Sequence, residues 1–298
     1  MGKKIVILMV AVVVVVLSGC GNNNGDGYLE IKGSDTMVNL GQQWADTYMD
    51  ANSEVSLAVT GGGSGTGIAG LLNDNLDIAQ SSRKITQEEL DAAAQKNLDV
   101  YEFVVGQDAI SVIVNDANPV AELTMDELKQ IFTGEITQWA QLGWEEGGAI
   151  SLYSRQSNSG THVFFWETVL NQADWATNTM FMPGTSSIYE GVAADRDAIG
   201  YVGVAYVNHG VHAVNVGLDK TGPFIDPTIR ANVDSGKYPI ARPLYFYVNG
   251  KPEGAVLDYL QWVLSAEGID VLETVGFYRN SPEYEQANAN LFQALDLK

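Results

Sequence analysis

The sequence predicts an α/β fold, and three features of the chain support that prediction. First, short runs rich in β-branched residues alternate with helical stretches from residue 28 onward, a pattern typical of α/β domains. Second, the 298 residues are 46% hydrophobic, which suffices for the core of one large domain or of two modest ones. Third, the apolar segment FVVGQDAISVIVN at 103–115 predicts a long strand that Gly106 and Gln107 interrupt.

The remaining elements follow in regular alternation along the chain. Runs of β-branched and apolar residues predict strands at 28–32, 55–60, 76–79, 150–153 and 242–249. Stretches with helical periodicity predict helices at 39–49, 67–73, 86–95, 124–132, 161–170 and 254–265. The helix at 124–132 has the clearest start, because Thr124 followed by Glu127 matches a capping box.

The N-terminal segment has the pattern of a processing signal rather than of a folded element. Lys3 and Lys4 form a positively charged region before an apolar stretch at 5–17, which is too short to span a bilayer comfortably as a helix. Leu-Ser-Gly-Cys at 17–20 then resembles a bacterial lipobox, in which the cysteine is lipidated after cleavage. The alternative is an ordinary secretory signal with an incidental cysteine.

This pattern predicts a signal peptide at 1–19, a lipidated Cys20, and a flexible tether that completes the segment 20–27. Cys20 is the only cysteine of the chain, so an intramolecular disulfide is excluded. We expect the mature protein to work outside the cytoplasmic membrane, attached to it through Cys20.

The charge balance limits the possible partners. The formal net charge is −21, with only 16 lysine and arginine residues. Such a chain is not expected to bind nucleic acid or an anionic membrane through bulk electrostatics. If the protein binds an anion, a local site must overcome the overall field.

Such a local site is indicated by clustered serine and threonine residues at four predicted strand ends. The segments are KGSDTM at 32–37, GSGTGI at 63–68, AQSSRK at 79–84 and NSGTHV at 158–163. Helix starts carry unpartnered N–H groups and partial positive charge, glycine allows close approach, and Arg155 can add a bidentate contact. The pattern predicts enclosure of a small oxyanion; the simpler alternative is that these residues only cap helices.

Motifs for other chemistry are weak. GTGIAG at 65–70 matches the dinucleotide pattern G-x-G-x-x-G, but Ser-Ser follows the next predicted strand where an acidic residue would hold a ribose. Ser159 and His162 lie on one helix, which is not a nucleophile–base geometry. His209 and His212 lack a clear third metal ligand. We therefore predict no catalytic residues, no metal site and no cofactor.

Taken together, the motifs resemble one known family. The lipobox and the segments GSDTM, GGGSGTGIAG, IAQSSRKI, RQSNSGTHVFFWE and IGYVGVAYV occur in the order and approximate spacing of PstS-type phosphate-binding proteins of high-affinity phosphate ABC transporters. The resemblance extends from about Tyr28 to the C-terminus. Its most specific part is R-x-x-x-S-G-T, formed by Arg155, Ser159, Gly160 and Thr161.

The resemblance implies a two-lobed type II periplasmic-binding-protein fold with the ligand cleft between the lobes. Lobe one would comprise 28–106 plus 240–298, and lobe two 107–239. The implied function is that of a non-enzymatic, monomeric lipoprotein that binds inorganic phosphate and delivers it to the permease subunits of an ABC transporter. The alternatives are a receptor for sulfate, molybdate or tungstate, a secreted phosphate-ester hydrolase, and a phosphate-responsive signalling or adhesion lipoprotein.

The resemblance also implies a ligand set. By position, the phosphate ligands would be Thr36, Met37 through its backbone, Ser64, Ser82, Arg155, Ser159, Gly160 and Thr161, and possible further ligands are Ser34, Asp35, Gly65 and Arg83. One departure is important, because Ser82 followed by Arg83 replaces the serine–aspartate of well-known members, whose carboxylate accepts the phosphate proton. Asp35 is the remaining candidate acceptor; alternatively, it is a helix N-cap that faces away from the ligand.

Overall fold

A computed structural model of the chain describes residues 27–297. The predicted signal peptide, Cys20 and all of the tether except Gly27 lie outside the described residues. The strands are β1 (Tyr28–Gly33), β2 (Ser56–Thr60), β3 (Ile78–Ser81), β4 (Val100–Asn115), β5 (Glu122–Thr124), β6 (Ser151–Arg155), β7 (Met180–Met182), β8 (Ala198–Gly203), β9 (Val211–Ala213), β10 (Asn215–Gly217) and β11 (Ala241–Asn249). The α-helices are α1 (Val38–Ala51), α2 (Ser64–Leu71), α3 (Gln87–Gln95), α4 (Met125–Thr133), α5 (Gly160–Thr168), α6 (Thr185–Ala194), α7 (Arg230–Asp234), α8 (Gly254–Val263), α9 (Ala266–Val275) and α10 (Pro282–Ala294).

Most of these strands belong to one continuous sheet with the order β2-β1-β3-β11-β4-β8-β6-β7, and β9 pairs with β4. We call β1, β2 and β3 the first half-sheet, and β6, β7, β8 and β9 the second half-sheet. β11 pairs antiparallel with β3 and with residues 100–109 of β4. β8 pairs with residues 110–114 of the same strand. β4 and β11 therefore cross from one half-sheet to the other, and the chain has the predicted two-lobed α/β fold.

Aromatic side chains fix the helices onto the sheet on both sides of this crossing. Trp44 of α1 packs edge-on against Phe246 of β11, with ring centroids 5.7 Å apart. Phe165 of α5 stacks on Tyr201 of β8, with centroids 3.9 Å apart and rings nearly parallel. These side chains are fully buried, so burial of apolar area sets the positions of α1 and α5 relative to the strand ends.

The strand predicted at 103–115 is present, but the predicted interruption at Gly106 and Gln107 is wrong. β4 runs without a break over sixteen residues and passes through Gly106 and Gln107. The register shifts where Leu244 pairs with Gly106 and Tyr245 pairs with Val104, which leaves one extra residue on β4. A β-bulge of this kind absorbs an irregular residue without ending the strand.

Other local predictions also have clear outcomes. The capping box of Thr124 and Glu127 is present at the start of α4 and is confirmed. A second capping box, of Thr86 and Glu89, starts α3. The lobe boundaries at 106/107 and 239/240 stay predictions. Within residues 27–297, no helix combines the length and the apolar character that a membrane crossing requires.

Candidate functional site

Five side-chain hydroxyls meet where the two half-sheets face each other. We call this group the hydroxyl cluster; it consists of Ser34, Thr36, Ser64, Ser82 and Thr161, all buried. Thr36 Oγ1 lies 2.8 Å from Thr161 Oγ1, and Ser34 Oγ donates to Ser82 Oγ at 2.8 Å. Ser82 N donates to Ser64 Oγ at 3.1 Å. The structure thus brings together residues from all four segments that the sequence analysis selected.

The fold explains this convergence. Ser34 and Thr36 follow β1, and Thr36 lies in a short 3-10 turn, Asp35–Met37, that leads into α1. Ser64 and Thr161 lie in the first turns of α2 and α5. The carboxyl ends of parallel strands in an open α/β sheet meet along one edge, where ligands commonly bind. The N-terminal N–H groups and partial positive charges of α2 and α5 therefore point toward the cluster.

Ser82 differs from the other members of the cluster in its local structure. Ser82 lies in the loop between β3 and α3, not at a helix start, because the capping box of Thr86 and Glu89 places the start of α3 at Gln87. The Ser82 hydroxyl still reaches the cluster, since its segment leaves the sheet at the same edge. Its contribution is therefore a hydroxyl and a backbone N–H without a helix behind them.

Close packing explains why Gly160 stands beside the cluster. A Cβ atom at Gly160 would collide with Ser64 Oγ and would lie 2.9 Å from Ser82 Oγ. Ser159 is the N-cap of α5, and its Oγ accepts hydrogen bonds from the backbone N–H groups of Thr161 and His162 at 3.2 and 3.4 Å. The capping alternative is thus correct for Ser159, whose hydroxyl proton remains available to donate elsewhere.

Arg155 is buried at the end of β6 and links the two half-sheets. Its guanidinium donates to the Asp35 carboxylate, to Thr185 Oγ1 at 2.9 Å, to Pro183 O at 3.0 Å and to Met182 O at 3.4 Å. These bonds account for four of the five N–H groups of an arginine. Arg155, the predicted cation, therefore lies next to the hydroxyl cluster, because its partner Asp35 directly precedes Thr36.

The structure rules out the N-cap alternative for Asp35. Its carboxylate accepts from Arg155 and, through Oδ1, from Gly62 N at 2.9 Å. Neither donor belongs to the turn that Asp35 begins, and the N-cap position of that turn is occupied by Ser34. Asp35 instead joins the loop before α2 to Arg155, with 17% of its side chain exposed.

The other possible ligands have partners of their own. Arg83 forms a bidentate ion pair with Glu89 at 2.7 and 2.8 Å, which ties it to the start of α3. Gly65 N donates to Asn158 O at 3.0 Å, and Asn158 Nδ2 donates to Gly62 O at 2.8 Å. Met37 N donates to Ser34 O at 3.0 Å inside the 3-10 turn. Asn158, which the sequence analysis did not single out, thereby holds the two sides of the cleft together.

Sequence reasoning also missed a second buried arginine–aspartate pair. Arg242 of β11 donates to Asp108 of β4 at 2.7 and 3.0 Å, and both side chains are almost fully buried. Arg242 also contacts Thr36, Thr161 and the Ser82 carbonyl. The one available signal was a charged residue within each of two apolar strand runs, 103–115 and 242–249.

A cavity of 440 Å³ adjoins Arg242 on the side away from Asp108. It is lined by residues of the β3–α3 loop, the start of α3, α5 and β11, among them Arg83, Lys84, Phe164, Glu167, Arg242 and Tyr245. The Arg242 guanidinium lies 5.7 Å from the centre of the Phe164 ring, within the range of a cation–π contact. Arg242 thus lies between this cavity and the hydroxyls of Thr36 and Thr161.

The tyrosine and histidine side chains beside the site remain neutral near pH 7. Burial raises the pKa of Tyr201 and of Tyr206 well above the ordinary value, so both hydroxyls stay protonated. Tyr206 Oη donates to Asp35 O at 2.9 Å. Burial lowers the pKa of His162. The charges of the site are therefore those of arginine–carboxylate pairs, and hydrogen-bond donors rather than net charge dominate it.

The geometry offers no catalytic machinery at the cluster. The His162 ring stacks on Trp175, with centroids 4.9 Å apart, and the Ser159 hydroxyl contacts the backbone N–H of His162 rather than its ring. Among residues 27–297, no group of three or more His, Cys, Asp or Glu side chains is arranged to hold a metal ion. What the arrangement can do is surround a small oxyanion with O–H and N–H donors.

Comparison with known proteins agrees with this chemistry. The sequence profile of a family described as PBP superfamily domain matches residues 20–267. The chain is 30% identical to phosphate-binding protein PstS of Pseudomonas aeruginosa over 84% of its own length and 82% of the relative's. It is 31% identical to phosphate-binding protein PstS of Staphylococcus aureus, over 90% and 85% of the two lengths.

Solved structures give the same result. A phosphate ABC transporter substrate-binding protein of Clostridium perfringens, solved with bound phosphate, is 26% identical and superimposes with a TM-score of 0.77, covering 86% of this chain and 100% of that one. An ABC-type phosphate transport receptor of Vibrio cholerae is 25% identical with a TM-score of 0.67, covering 85% and 100%.

Proposed function

The chain belongs to the family of PstS-type phosphate-binding proteins within the PBP superfamily, and we propose that its hydroxyl cluster binds inorganic phosphate for delivery to an ABC permease. Membership of this family makes the chain a substrate-binding protein of phosphate transport rather than an enzyme. The single observation that carries the choice of site is the hydroxyl cluster itself, in which Ser34, Thr36 and Ser82 meet Ser64 and Thr161 of the first turns of α2 and α5.

The donor set suits a tetrahedral oxyanion. Each hydroxyl can donate one hydrogen bond, and helix N-termini add N–H groups and partial positive charge without a mobile counter-ion. We propose Thr36, Met37, Ser64, Ser82, Arg155, Ser159, Gly160 and Thr161 as the ligands, with Ser34 beside them. Met37 N, Gly65 N and the Arg83 guanidinium are already bonded to Ser34 O, Asn158 O and Glu89, so they become ligands only if those contacts change.

Asp35 is proposed as the acceptor of the phosphate proton. Phosphate keeps a proton near neutral pH, and sulfate does not. A fixed carboxylate next to Thr36 favours the protonated anion and repels the aprotic one. Asp35 is held by Gly62 N and Arg155, and a carboxylate has lone pairs beyond those that two donors occupy.

The direct test is anion titration of the purified protein after removal of bound phosphate. Isothermal titration calorimetry with phosphate, sulfate, molybdate and tungstate should give the tightest binding for phosphate, and a phosphate-ester hydrolysis assay should stay at background. Sulfate binding as tight as phosphate binding would contradict the phosphate assignment. Hydrolysis that depends on the protein would contradict the assignment as a receptor.

Ligands contributed by both half-sheets imply that the lobes close on phosphate. We propose that lobe one consists of 28–106 plus 240–298 and lobe two of 107–239, and the contacts of Asn158 with Gly62 and Gly65 across the cleft support closure. Small-angle scattering should report a smaller radius of gyration with saturating phosphate. Identical scattering curves for stripped and saturated protein would contradict a two-lobe closure.

Attachment to the membrane is proposed to depend on Cys20, with permease subunits as the partners there. Cys20→Ala should prevent lipidation and release the protein from the membrane, with phosphate affinity unchanged because the tether precedes β1. Cell fractionation followed by a salt wash checks the release, and Ser18→Ala serves as a neighbouring control that retains the cysteine. A Cys20→Ala protein that stays membrane-bound after the wash would contradict the lipobox assignment.

A further inference from the structure

Arg242 and Asp108 face each other on the two crossing strands. They are register partners of β11 and β4, and their side chains are 1% and 0% exposed. Arg242 Nε and Nη2 donate to Asp108 Oδ2 at 3.0 and 2.7 Å. Val204 N donates to Asp108 Oδ1 at 3.0 Å. The carboxylate is therefore fixed on both oxygens, and it fixes the guanidinium in turn.

The guanidinium also reaches the hydroxyl cluster. Its Nη2 donates to Thr161 Oγ1 at 3.0 Å and to Thr36 Oγ1 at 3.4 Å. Its Nη1 donates to Ser82 O at 2.7 Å. One side chain thus touches three of the four segments that form the cluster, from the side of the sheet rather than from the cleft.

The direction of these hydrogen bonds is fixed by chemistry. An arginine has donors only, whereas a threonine hydroxyl has one donor and two acceptor lone pairs. Thr36 and Thr161 can therefore only accept from Arg242, and they share one N–H of Nη2 because its other N–H is held by Asp108. One of the two hydroxyl protons lies in the 2.8 Å bond between Thr36 Oγ1 and Thr161 Oγ1, so the proton of the other hydroxyl is left to donate elsewhere. Without such a neighbour, hydroxyl groups can rotate and satisfy one another in either direction, which does not prepare them for an anion that needs donors.

We propose that Arg242, held by Asp108, is a positioning residue of the anion site that orients the linked hydroxyls of Thr36 and Thr161 so that one of their protons points toward bound phosphate. This inference rests on the proposed function. The pair carries no net charge, so its effect is direction and preorganisation rather than attraction. Its role thus differs from that of Arg155, which is proposed as a ligand.

The cost of burying this pair supports a role beyond stability. Buried ion pairs are often no more stabilising than uncharged groups of the same size. Burial lowers the pKa of Arg242, and the Asp108 carboxylate opposes that shift. Asp108 therefore keeps a charged donor in a place where solvent cannot, directly behind the two threonines.

The test uses a double exchange that removes both charges and keeps polar side chains in both places. Arg242→Gln with Asp108→Asn should weaken phosphate binding about 5- to 10-fold in calorimetry, because the fixed direction of one hydroxyl donor is lost. The matched control is Arg230→Gln with Asp234→Asn, an exposed arginine–aspartate pair on α7. Its phosphate affinity should remain within about twofold of wild type, as expected for an exposed pair.

A second background separates positioning from a general structural effect. In Thr161→Val protein, the same double exchange should cost clearly less affinity than in wild type, since one of the hydroxyls that Arg242 orients is gone. Arg242→Lys, which keeps the charge but loses the fork, should weaken binding by an intermediate amount. It serves as the working variant if the double exchange fails to fold.

The outcomes are distinguishable. A folded double-exchange or Arg242→Lys protein with wild-type phosphate affinity overturns the inference and leaves the proposed function intact. An equal loss of affinity in the Thr161→Val and wild-type backgrounds also overturns it, because Arg242 then acts without the hydroxyl. Wild-type protein that does not bind phosphate overturns the proposed function and this inference together.

Discussion

Two buried arginine–aspartate pairs lie within the same site, and they differ in how the fold makes them. Arg155 and Asp35 come from the ends of β6 and β1 and meet across the cleft, where Asp35 is partly exposed. Arg242 and Asp108 are neighbours on paired strands and are fully enclosed. The first pair joins the two half-sheets across the cleft, whereas the second lies within the sheet that connects them.

This difference separates two tasks. A pair that spans the cleft can change when a ligand enters, because Asp35 and Arg155 sit on opposite sides. A pair within the sheet persists in either arrangement of the lobes and can prepare donors before the ligand arrives.

The largest expected effect is on stability. Asp108→Ala leaves the buried charge of Arg242 without its partner, which typically lowers the free energy of unfolding by about 3–5 kcal/mol. Asp35→Ala should lower it by less, about 1–3 kcal/mol, since Arg155 retains Thr185, Pro183 and Met182 as acceptors. Denaturant unfolding of the two variants without phosphate gives the comparison, and equal losses would remove the distinction between the pairs.

The next effect is on affinity. Arg155→Ala should weaken phosphate binding by about 2–5 kcal/mol, because a charge-assisted contact is lost in a site shielded from water. The protein should stay folded, with circular dichroism like that of wild type. Arg230→Ala, at the surface of α7, is the control and should bind as wild type does. Unchanged affinity of Arg155→Ala would make Arg155 a structural link to Asp35 and nothing more.

A smaller effect is expected on selectivity. Asp35→Asn removes the proposed proton acceptor, so phosphate affinity should fall by about 1.5–3 kcal/mol, the usual range for a hydrogen bond to a charged group. Sulfate binding should become tighter, since a negative charge near the anion has been removed. Calorimetry with both anions measures the difference between phosphate and sulfate affinity. An unchanged difference in Asp35→Asn protein would show that Asp35 is not the proton acceptor.

The smallest effect uses His162 as a reporter of the Arg155 side of the site. Burial lowers the pKa of His162, and the Arg155 charge contributes to the lowering. Arg155→Ala should therefore raise the pKa of His162 in an NMR titration, and Arg230→Ala should leave it unchanged. A His162 pKa that does not respond to Arg155→Ala would show that its burial alone controls the titration.

The same shift gives a sign for the pH dependence of stability. With the folded pKa below the unfolded value of about 6.5, the contribution of His162 is complete above pH 6.5 and is lost as the pH falls toward the folded pKa. As the pH is lowered below about 6.5, the melting temperature of His162→Phe protein should fall less steeply than that of wild type.

The sequence predicted the elements with strong periodicity, including the long crossing strand and the helices that begin at capping boxes. It did not predict the helices α6, α7, α9 and α10, the strand β8, or the three-residue strands β5, β7, β9 and β10. Elements as short as these strands carry too few residues for a periodic pattern. They form because the neighbouring strand supplies partners that are distant in sequence.

The same reasoning explains what was found of the site. Ser64, Gly160 and Thr161 stand in glycine-containing helix starts, whose chemistry is visible locally. Arg242 stands in an apolar strand, and only its register with Asp108 reveals a role. Contacts between Thr36 and Thr161, 125 residues apart, are set by the fold as a whole and have no local signature.

The paired crossing strands have a mechanical consequence. A ribbon of two hydrogen-bonded strands resists stretching and in-plane bending, yet it can change its twist with little loss of bonding. The β-bulge at Leu244 and Tyr245 lies in this ribbon and adds local compliance to torsion. Rotation of one lobe against the other is therefore expected to change the twist of this ribbon. Binding of phosphate would then restrict this rotation, with every strand remaining paired.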